Sequence, residues 1–127
     1  MISGKNYIGD KLSSNSSVTF KTFNPLTNIE NDLLFFEASD SEIQKATKIA
    51  SEAFRHYKQV SAKDRARFLV QISDELSLIS DDIVKIYCSE TGLPEARCLG
   101  ELGRTMNQLK SFANLLLEGS FQEVSID

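Results

Sequence analysis

Histidine and cysteine, from which many metal centres and nucleophilic sites are built, are scarce in this sequence. The 127 residues include one histidine, His56, and two cysteines, Cys88 and Cys98. No second histidine or cysteine lies at metal-ligand spacing from His56, so we predict no metal site and expect a partly exposed helix residue there. Both cysteines are expected to be small, buried or half-buried structural residues.

Three further features are absent, and each absence excludes a class of function. The sequence has no Gly-x-Gly-x-x-Gly loop, so we expect no phosphate-cradling cofactor site in this chain. No apolar run approaches the ~20 residues that span a bilayer, so no membrane partner is predicted. The net charge of -4 supplies no basic field, so no nucleic-acid partner is predicted.

The cellular compartment is predicted from the first residues and the cysteines. The stretch from Met1 to Asp10 has no apolar core of the kind found in a signal peptide. Two cysteines without an export signal indicate a reducing compartment. We therefore expect a cytoplasmic protein, and the length fits one globular domain.

Alternating β-prone residues predict a small antiparallel β flap over residues 1–38. Residues 7–12 are typical of a hairpin with Gly9-Asp10 at its turn, and residues 18–23 of a strand. Residues 33–37 form another predicted strand, and both of its faces are apolar. Two apolar faces indicate burial on both sides, or a face that awaits another domain.

Residues 39–119 are predicted to form four helices. Ser39 and Glu42 have the spacing of a capping box at the first helix start. The other predicted starts are Ser61, Ser80 and Pro94, and the glycine stops are Gly92 and Gly119. The apolar stripe of the first helix consists of Ile43, Ala46, Ala50, Ala53, Phe54 and Tyr57. That of the fourth helix consists of Leu99, Leu102, Met106, Leu109, Ala113 and Leu116.

The fourth helix also carries a polar stripe and two internal glycines. The polar stripe comprises Arg97, Glu101, Arg104, Gln108 and Ser111. Gly100 and Gly103 each cost ~1 kcal/mol relative to alanine, which predicts that another backbone or a ligand comes close, unless the glycines are simply tolerated. After this helix, residues 120–127 predict the start of a strand without a partner, so we expect that a longer protein continues beyond it.

Several short motifs, in a fixed order, resemble the N-terminal part of the NAD(P)-dependent aldehyde dehydrogenases. They are Asn24-Pro25-Leu26-Thr27, Ala53-Phe54, Arg65-Ala66-Arg67-Phe68-Leu69, Glu90-Thr91-Gly92-Leu93-Pro94, Gly100-Glu101-Leu102-Gly103-Arg104-Thr105 and Phe112-Ala113. Together they cover nearly the whole chain. The branch that they resemble most is the 2-oxoglutarate semialdehyde (2,5-dioxopentanoate) dehydrogenases.

The resemblance implies an α/β fold for the complete enzyme. Within it, this segment would be mainly α: the β flap, then four helices of the cofactor-binding domain. The implied reaction oxidises an acidic semialdehyde, such as 2-oxoglutarate semialdehyde, to a carboxylate with NAD or NADP. A cysteine thiolate attacks the aldehyde carbon, and a carboxylate activates water to hydrolyse the thioester. In the family these groups lie beyond the region matched here, so we expect no catalytic and no cofactor-binding residue, and an inactive segment.

The same resemblance implies that the fourth helix lines the tunnel through which the aldehyde reaches the distant cysteine. Arg104 stands where relatives with apolar substrates carry an apolar residue, and Gln108 is one turn further on. A guanidinium can hold the terminal carboxylate of a semialdehyde through a two-pronged hydrogen bond. Arg104 and Gln108 are therefore the predicted substrate-binding residues, and the alternative is a polar stripe that faces water.

The implied partners are the remainder of the same enzyme, a small-molecule aldehyde and, at full length, further copies in a homo-oligomer. Two alternatives remain open. The chain could be an independent helical module that binds a partner protein through its apolar surface, or a small accessory subunit that completes a separate catalytic chain. The unpaired β segments near both ends favour the enzyme segment, because a self-contained bundle should not need them.

Overall fold

The computed structural model describes residues 2–122, in which four strands precede four helices. The strands are β1 (Asn6–Ile8), β2 (Lys11–Ser13), β3 (Thr19–Asn24) and β4 (Ile29–Phe36). The helices are α1 (Asp40–Tyr57), α2 (Ala62–Leu78), α3 (Ser80–Thr91) and α4 (Glu95–Glu118). This order confirms the predicted mainly helical segment behind a small β flap. Within residues 2–122, none of the helices combines the length and the apolar content that a membrane span requires.

The strands form two separate antiparallel hairpins. In the first, Tyr7 lies opposite Leu12, and Gly9 turns the chain with a φ of 65°, a conformation that glycine adopts without steric cost. In the second, Phe20 lies opposite Phe35, and their rings stack with centroids 5.4 Å apart. The predicted flap is therefore two hairpins in which aromatic and aliphatic cross-strand pairs supply the contacts.

The turn between β3 and β4 is tight, so β4 begins earlier than the predicted residue 33. The side-chain oxygen of Asn24 accepts a hydrogen bond from the backbone N–H of Leu26 at 2.9 Å. Asn28 adopts a φ of 58° and its N–H donates to the Asn24 carbonyl at 2.9 Å. Asparagine favours both arrangements, and Asn24 then pairs directly with Ile29.

The chain divides into two compact units, which are described separately below. The first comprises the residues up to Gln59 together with Ile86–Gly92, and the second comprises Val60–Lys85 and the residues from Leu93 onward. The division that the sequence predicted between residues 38 and 39 refers to the domains of a complete enzyme, and it stays a prediction.

In the first unit, the Glu42 side chain joins the first hairpin to the start of α1. Glu42 is 2% exposed, and its Oε2 accepts hydrogen bonds from the Ser39 N–H and hydroxyl, both at 2.8 Å. The predicted capping box is thus confirmed. The other carboxylate oxygen of Glu42, Oε1, accepts hydrogen bonds from the Ser13 hydroxyl and from the Asn15 N–H at 3.2 Å. These bonds, led by that of Ser13, lower the pKa of Glu42 from 4.5 to about 2.

The second hairpin of this unit is connected to the end of α3. The Asn31 amide donates to the Thr22 hydroxyl at 3.1 Å and to the Ser89 carbonyl at 3.2 Å. Gly92 then ends α3 with a φ of 69°, and its N–H donates to the Cys88 carbonyl at 3.0 Å. The predicted glycine stop is confirmed.

The predicted apolar stripe of α1 faces largely outward. Ile43, Phe54 and Tyr57 are 50%, 63% and 42% exposed. The inner side of α1 is instead the one that carries Glu42 and Ile49, because the capping-box carboxylate binds the first hairpin. The sequence pattern was therefore correct about the helix and wrong about which face this unit buries.

In the second unit, α2 packs along α4 through small side chains. The residues exposed by 2% or less are Ala66 and Ser73 on α2 and Cys98 and Ala113 on α4. The predicted stripe of α4 holds at Leu102, which is 9% exposed, but it is wrong at Leu99, which is 53% exposed. Cys98 takes its place because it lies one full turn before Leu102, where a small side chain lets the helices approach closely.

The two ends of α4 agree with the sequence more closely than its interior. Pro94 is the N-cap residue, one position before its predicted place, and Gly119 ends the helix with a φ of 68°. Gly100 and Gly103 lie inside the helix, and within the described residues no atom other than the adjacent backbone of α4 itself would come within 4 Å of an added Cβ. The close approach predicted at these glycines is therefore not found in this part of the chain.

The strand predicted over residues 120–127 is not found at its start. Ser120–Gln122 forms a short 3₁₀ helix instead, because the Gln122 N–H donates to the Gly119 carbonyl at 3.0 Å and closes a turn. The rest of the predicted strand, residues 123–127, lies outside the described residues.

Replacement of Glu42 by glutamine should lower the stability of this chain at neutral pH and alter its response to acid. A carboxyl group whose folded-state pKa is depressed stabilises the fold above its unfolded pKa of about 4.5, and that stability is lost as pH falls toward 2. In urea unfolding, Glu42→Gln should therefore have the lower midpoint at pH 7, and the difference from the native chain should shrink below pH 4.5. Glu52→Gln, at an exposed site on the same helix, should show neither effect, and a pH-independent difference for Glu42→Gln would contradict the assignment.

Alanine should be tolerated very differently at Gly4 and at Gly100. A Cβ on Gly4 would lie 2.0 Å from the Leu34 carbonyl oxygen, and Gly4 also accepts the Phe36 N–H at 3.0 Å. Backbone atoms cannot move aside as a flexible side chain can. Gly4→Ala should therefore lower the free energy of unfolding by about 1–3 kcal/mol or more, the typical cost of overpacking. Gly100→Ala, in an open helix interior, should instead stabilise by about 1 kcal/mol. Equal unfolding midpoints for the two variants would contradict the described contact.

Candidate functional site

The two predicted substrate-binding residues, Arg104 and Gln108, lie on α4 in the second unit. They are four residues apart, which places them on one face of the helix, one turn after the other. Both are exposed. The rotation of α4 that buries Leu102 and Ala113 against α2 directs these longer polar side chains away from that contact.

Arg104 and Gln108 line a shallow depression that is largely open to solvent. The lining is mainly polar, with two apolar side chains among the polar ones. The polar side chains are Arg104, Asn107, Gln108, Ser111, Asn114 and Glu118, and the apolar ones are Phe112 and Leu115. All of them belong to α4, so the structure brings the two predicted residues together on one surface and adds an apolar patch one to two turns further along.

A second, apolar depression adjoins the first through shared residues. It has a volume of about 270 Å³ and is lined by Leu69, Phe112, Leu115, Leu116 and Phe121. Phe112 is 50% exposed and Leu115 is 38% exposed. A cationic group in the first depression and uncovered apolar side chains in the adjoining one suit a ligand with a carboxylate and a short carbon chain.

The guanidinium of Arg104 is already paired with Glu101, one turn earlier on α4. Nε of Arg104 donates to Glu101 Oε2 at 3.0 Å and Nη2 donates to the same oxygen at 2.5 Å. The Arg104 side chain is 77% exposed, whereas that of Glu101 is 33% exposed. The charge of Arg104 is therefore partly balanced, and its guanidinium is oriented from one side.

Glu101 is in turn shared by a second arginine. Arg97 Nη2 lies 3.2 Å from Glu101 Oε1, so each carboxylate oxygen faces a different guanidinium. The sequence analysis placed all three residues on one polar stripe but missed this bridge. The signal was present, because a glutamate four residues after one arginine and three before another can reach both on a helix.

The remaining candidate groups do not assemble into a chemical site. Cys98 is buried, Cys88 is half-buried and no disulfide joins them, which confirms the expected burial. His56 is exposed on α1. Among residues 2–122, no group of three or more histidine, cysteine or acidic side chains is arranged to hold a metal ion.

The helix starts of the described chain do not fit the phosphates of a dinucleotide. Helix N-termini bind phosphate through their free N–H groups and positive dipole end. Here each of the four helices carries an acidic residue in its first turn, and these negative charges oppose an incoming phosphate. A nicotinamide cofactor would therefore need its phosphate site elsewhere.

Comparison with known proteins gives a consistent set of relatives. The profile of the Aldehyde dehydrogenase family matches residues 12–126. Alpha-ketoglutaric semialdehyde dehydrogenase 2 of Azospirillum brasilense is 35% identical over 99% of the chain, and an alpha-ketoglutaric semialdehyde dehydrogenase of Acinetobacter baylyi is 32% identical over 98%. The chain spans about a quarter of the length of these relatives, 24% in both cases.

Solved structures share the fold of this chain. An NAD-dependent benzaldehyde dehydrogenase from Corynebacterium glutamicum superposes with a TM-score of 0.82 at 20% identity, covering 91% of this chain and 25% of that one. A betaine aldehyde dehydrogenase from Staphylococcus aureus, in complex with NAD+, gives a TM-score of 0.79 at 20% identity, covering 89% and 23%. The arrangement of hairpins and helices seen here therefore recurs inside longer chains.

The two thiols should differ strongly in reactivity. Cys98 on α4 is 1% exposed, whereas Cys88 is half-buried, and a thiol must reach solvent to ionise and react. Labelling of this chain with a chromogenic disulfide should give one fast and one slow thiol, and Cys88→Ser should remove the fast phase. Loss of the slow phase in that variant would show that the assignment of Cys98 as the buried thiol is wrong.

Proposed function

This chain belongs to the aldehyde dehydrogenase family, and on that basis we propose that it is the N-terminal segment of an NAD(P)-dependent enzyme that oxidises an acidic semialdehyde to a carboxylate. The substrate class we infer is that of 2-oxoglutarate semialdehyde. The observation that carries this inference is the placement of Arg104 and Gln108 together on one surface of α4, next to a second depression that is apolar and shares Phe112 and Leu115 with the first.

The chemistry of the substrate accounts for that arrangement. A semialdehyde of this class has a carboxylate at one end and the reacting aldehyde at the other. Arg104 can bind the carboxylate through paired, charge-assisted hydrogen bonds, and the Gln108 amide can donate one more. Phe112 and Leu115 can cover the carbon chain. Two relatives whose names specify alpha-ketoglutaric semialdehyde support the same substrate class.

The catalytic groups and the cofactor site are inferred to lie in the remainder of the enzyme. Oxidation requires a thiolate that attacks the aldehyde, donors for the resulting oxyanion, a hydride acceptor and a base that activates water. A nicotinamide cofactor supplies the hydride acceptor. The contribution that we assign to this chain is to bind and orient the acidic end of the substrate.

The two alternative functions have less support. An independent interaction module or an accessory subunit would not explain why the family profile covers residues 12–126 and why the relatives are about four times longer. We further propose that the enzyme is cytoplasmic and assembles as a homo-oligomer, with the rest of its own polypeptide as the principal partner of this segment.

Replacement of Arg104 by alanine in the longer enzyme tests the proposed function. The kcat/KM for glutarate semialdehyde should fall by about tenfold or more, since hydrogen bonds between charged groups contribute roughly 1.5–3 kcal/mol. The kcat/KM for pentanal, an uncharged aldehyde of the same length, should stay within about twofold.

Arg67→Ala is the matched control for this experiment. Arg67 is 78% exposed and pairs with an acid three residues earlier, as Arg104 does, but it lies on α2 outside the depression. Arg67→Ala should leave the kcat/KM for both aldehydes unchanged. If Arg104→Ala weakened the turnover of the two aldehydes equally, the assignment of Arg104 to the substrate carboxylate would be overturned.

A further inference from the structure

We propose that Glu101 is a positioning residue that holds the Arg104 guanidinium with its outer edge free for the substrate carboxylate. This inference rests on the proposed function, because it assigns a role to Glu101 only through Arg104. It adds a residue that does not itself line the depression and that would not touch the substrate.

A guanidinium group has two edges that a carboxylate can bind. One edge presents Nε and Nη2, and the other presents Nη1 and Nη2; either can bind a carboxylate in two-pronged fashion. Glu101 Oε2 accepts from Nε at 3.0 Å and from Nη2, so it occupies the first edge. Within residues 2–122, the contacts of the Arg104 guanidinium are those with Glu101, which leaves the second edge for a substrate carboxylate at the depression that Arg104 lines.

Glu101 is itself held in place. Its Oε1 lies 3.2 Å from Arg97 Nη2, and its side chain is only 33% exposed, against 64% for Arg97 and 77% for Arg104. A carboxylate anchored on one side by Arg97 and backed by the helix surface restricts where the Arg104 head group can lie. The cluster of two arginines and one glutamate keeps a net positive charge, so it still attracts an anion.

A similar pair on α2 shows what an ordinary surface contact looks like in this molecule. Asp64 and Arg67 have the same three-residue spacing, but a single Nη2 contact of 2.9 Å joins them, and Asp64 is 48% exposed. Asp64 also accepts from the Ser61 hydroxyl at 2.7 Å. Exposed pairs of that kind contribute little. Glu101 differs because it is more enclosed, is anchored by a second arginine and engages a whole edge of its partner.

Removal of Glu101 distinguishes positioning from a pure charge effect by the sign of the change in KM. If Glu101 positions Arg104, its loss leaves the guanidinium mobile, and the KM for an acidic aldehyde rises. If Glu101 acted only through its negative charge, its loss would reduce repulsion of the substrate, and that KM would fall. If Glu101 only stabilised the helix, acidic and uncharged aldehydes would be affected alike.

The experiment compares Glu101→Ala and Glu101→Gln in the longer enzyme with glutarate semialdehyde and pentanal. We expect the KM for the acidic aldehyde to rise about three- to tenfold in Glu101→Ala and less in Glu101→Gln, which keeps one acceptor oxygen. The kcat, and both constants for pentanal, should stay within about twofold. In the Arg104→Ala background, Glu101→Ala should cause no further rise, because the residue it positions is already gone. Asp64→Ala serves as the matched control and should not discriminate between the aldehydes.

Each other outcome overturns a specific part of the proposal. A lower KM for the acidic aldehyde, or an equal change for both aldehydes, excludes the positioning role of Glu101. If Glu101→Ala does not fold, the same criteria apply to Glu101→Gln, whose shape is nearly that of glutamate. If Arg104→Ala discriminates between the aldehydes and neither Glu101 variant does, only this inference fails. If Arg104→Ala itself does not discriminate, the proposed function of Arg104 fails first.

Discussion

The close packing of α2 on α4 is the constraint on which the candidate site depends. Cys98 and Ala113 on α4 are each 1% exposed, and Ala66 on α2 is 2% exposed. A contact built from such small side chains fixes the rotation of α4, because any other rotation would force a larger or charged residue into it. That rotation leaves Arg104 and Gln108 outward and Phe112 at the border of the two depressions. Substrate recognition would then rest on small residues that never meet a ligand.

The exposed apolar surface of each unit agrees with a segment that is covered in a longer protein. Tyr7 in the first unit is 77% exposed and Leu78 in the second is 79% exposed. Single exposed apolar residues are ordinary, but Phe54 at 63% and its neighbours on α1 form a continuous helical stripe, and continuous patches usually mark a contact surface. Relatives of this chain are about four times longer, and under the proposed function the remainder of the same polypeptide would cover this stripe.

The sequence predicted those features that depend on local chemistry. The Ser39–Glu42 capping box, the Gly9 turn and the stops at Gly92 and Gly119 all follow from backbone preferences of single residues, and the structure confirms them. The sequence could not predict which face of an amphipathic helix is buried, because that depends on the element that packs against it. For this reason the predicted burial of Leu99 and of the apolar stripe on α1 was wrong. The bridge made by Glu101 was missed for a related reason. Spacing showed that the three charged residues could meet, but not that the carboxylate would be the least exposed of them.

The high exposure of Arg104 limits the free energy with which this segment alone can bind a carboxylate. A guanidinium that is 77% exposed gains little from a carboxylate, because water and salt screen the attraction and hydrate both ions. The same pair becomes much stronger when other protein covers it, since the effective dielectric constant falls and the hydrogen bonds no longer compete with water. Under the proposed function, selectivity for an acidic aldehyde would be a joint property: α4 would supply the charge and its orientation, and the covering polypeptide would supply the dry surroundings. A second consequence concerns Glu101. Covering the site would strengthen its hold on Arg104 as well, so the substrate carboxylate must bind beside Glu101 and cannot be expected to displace it.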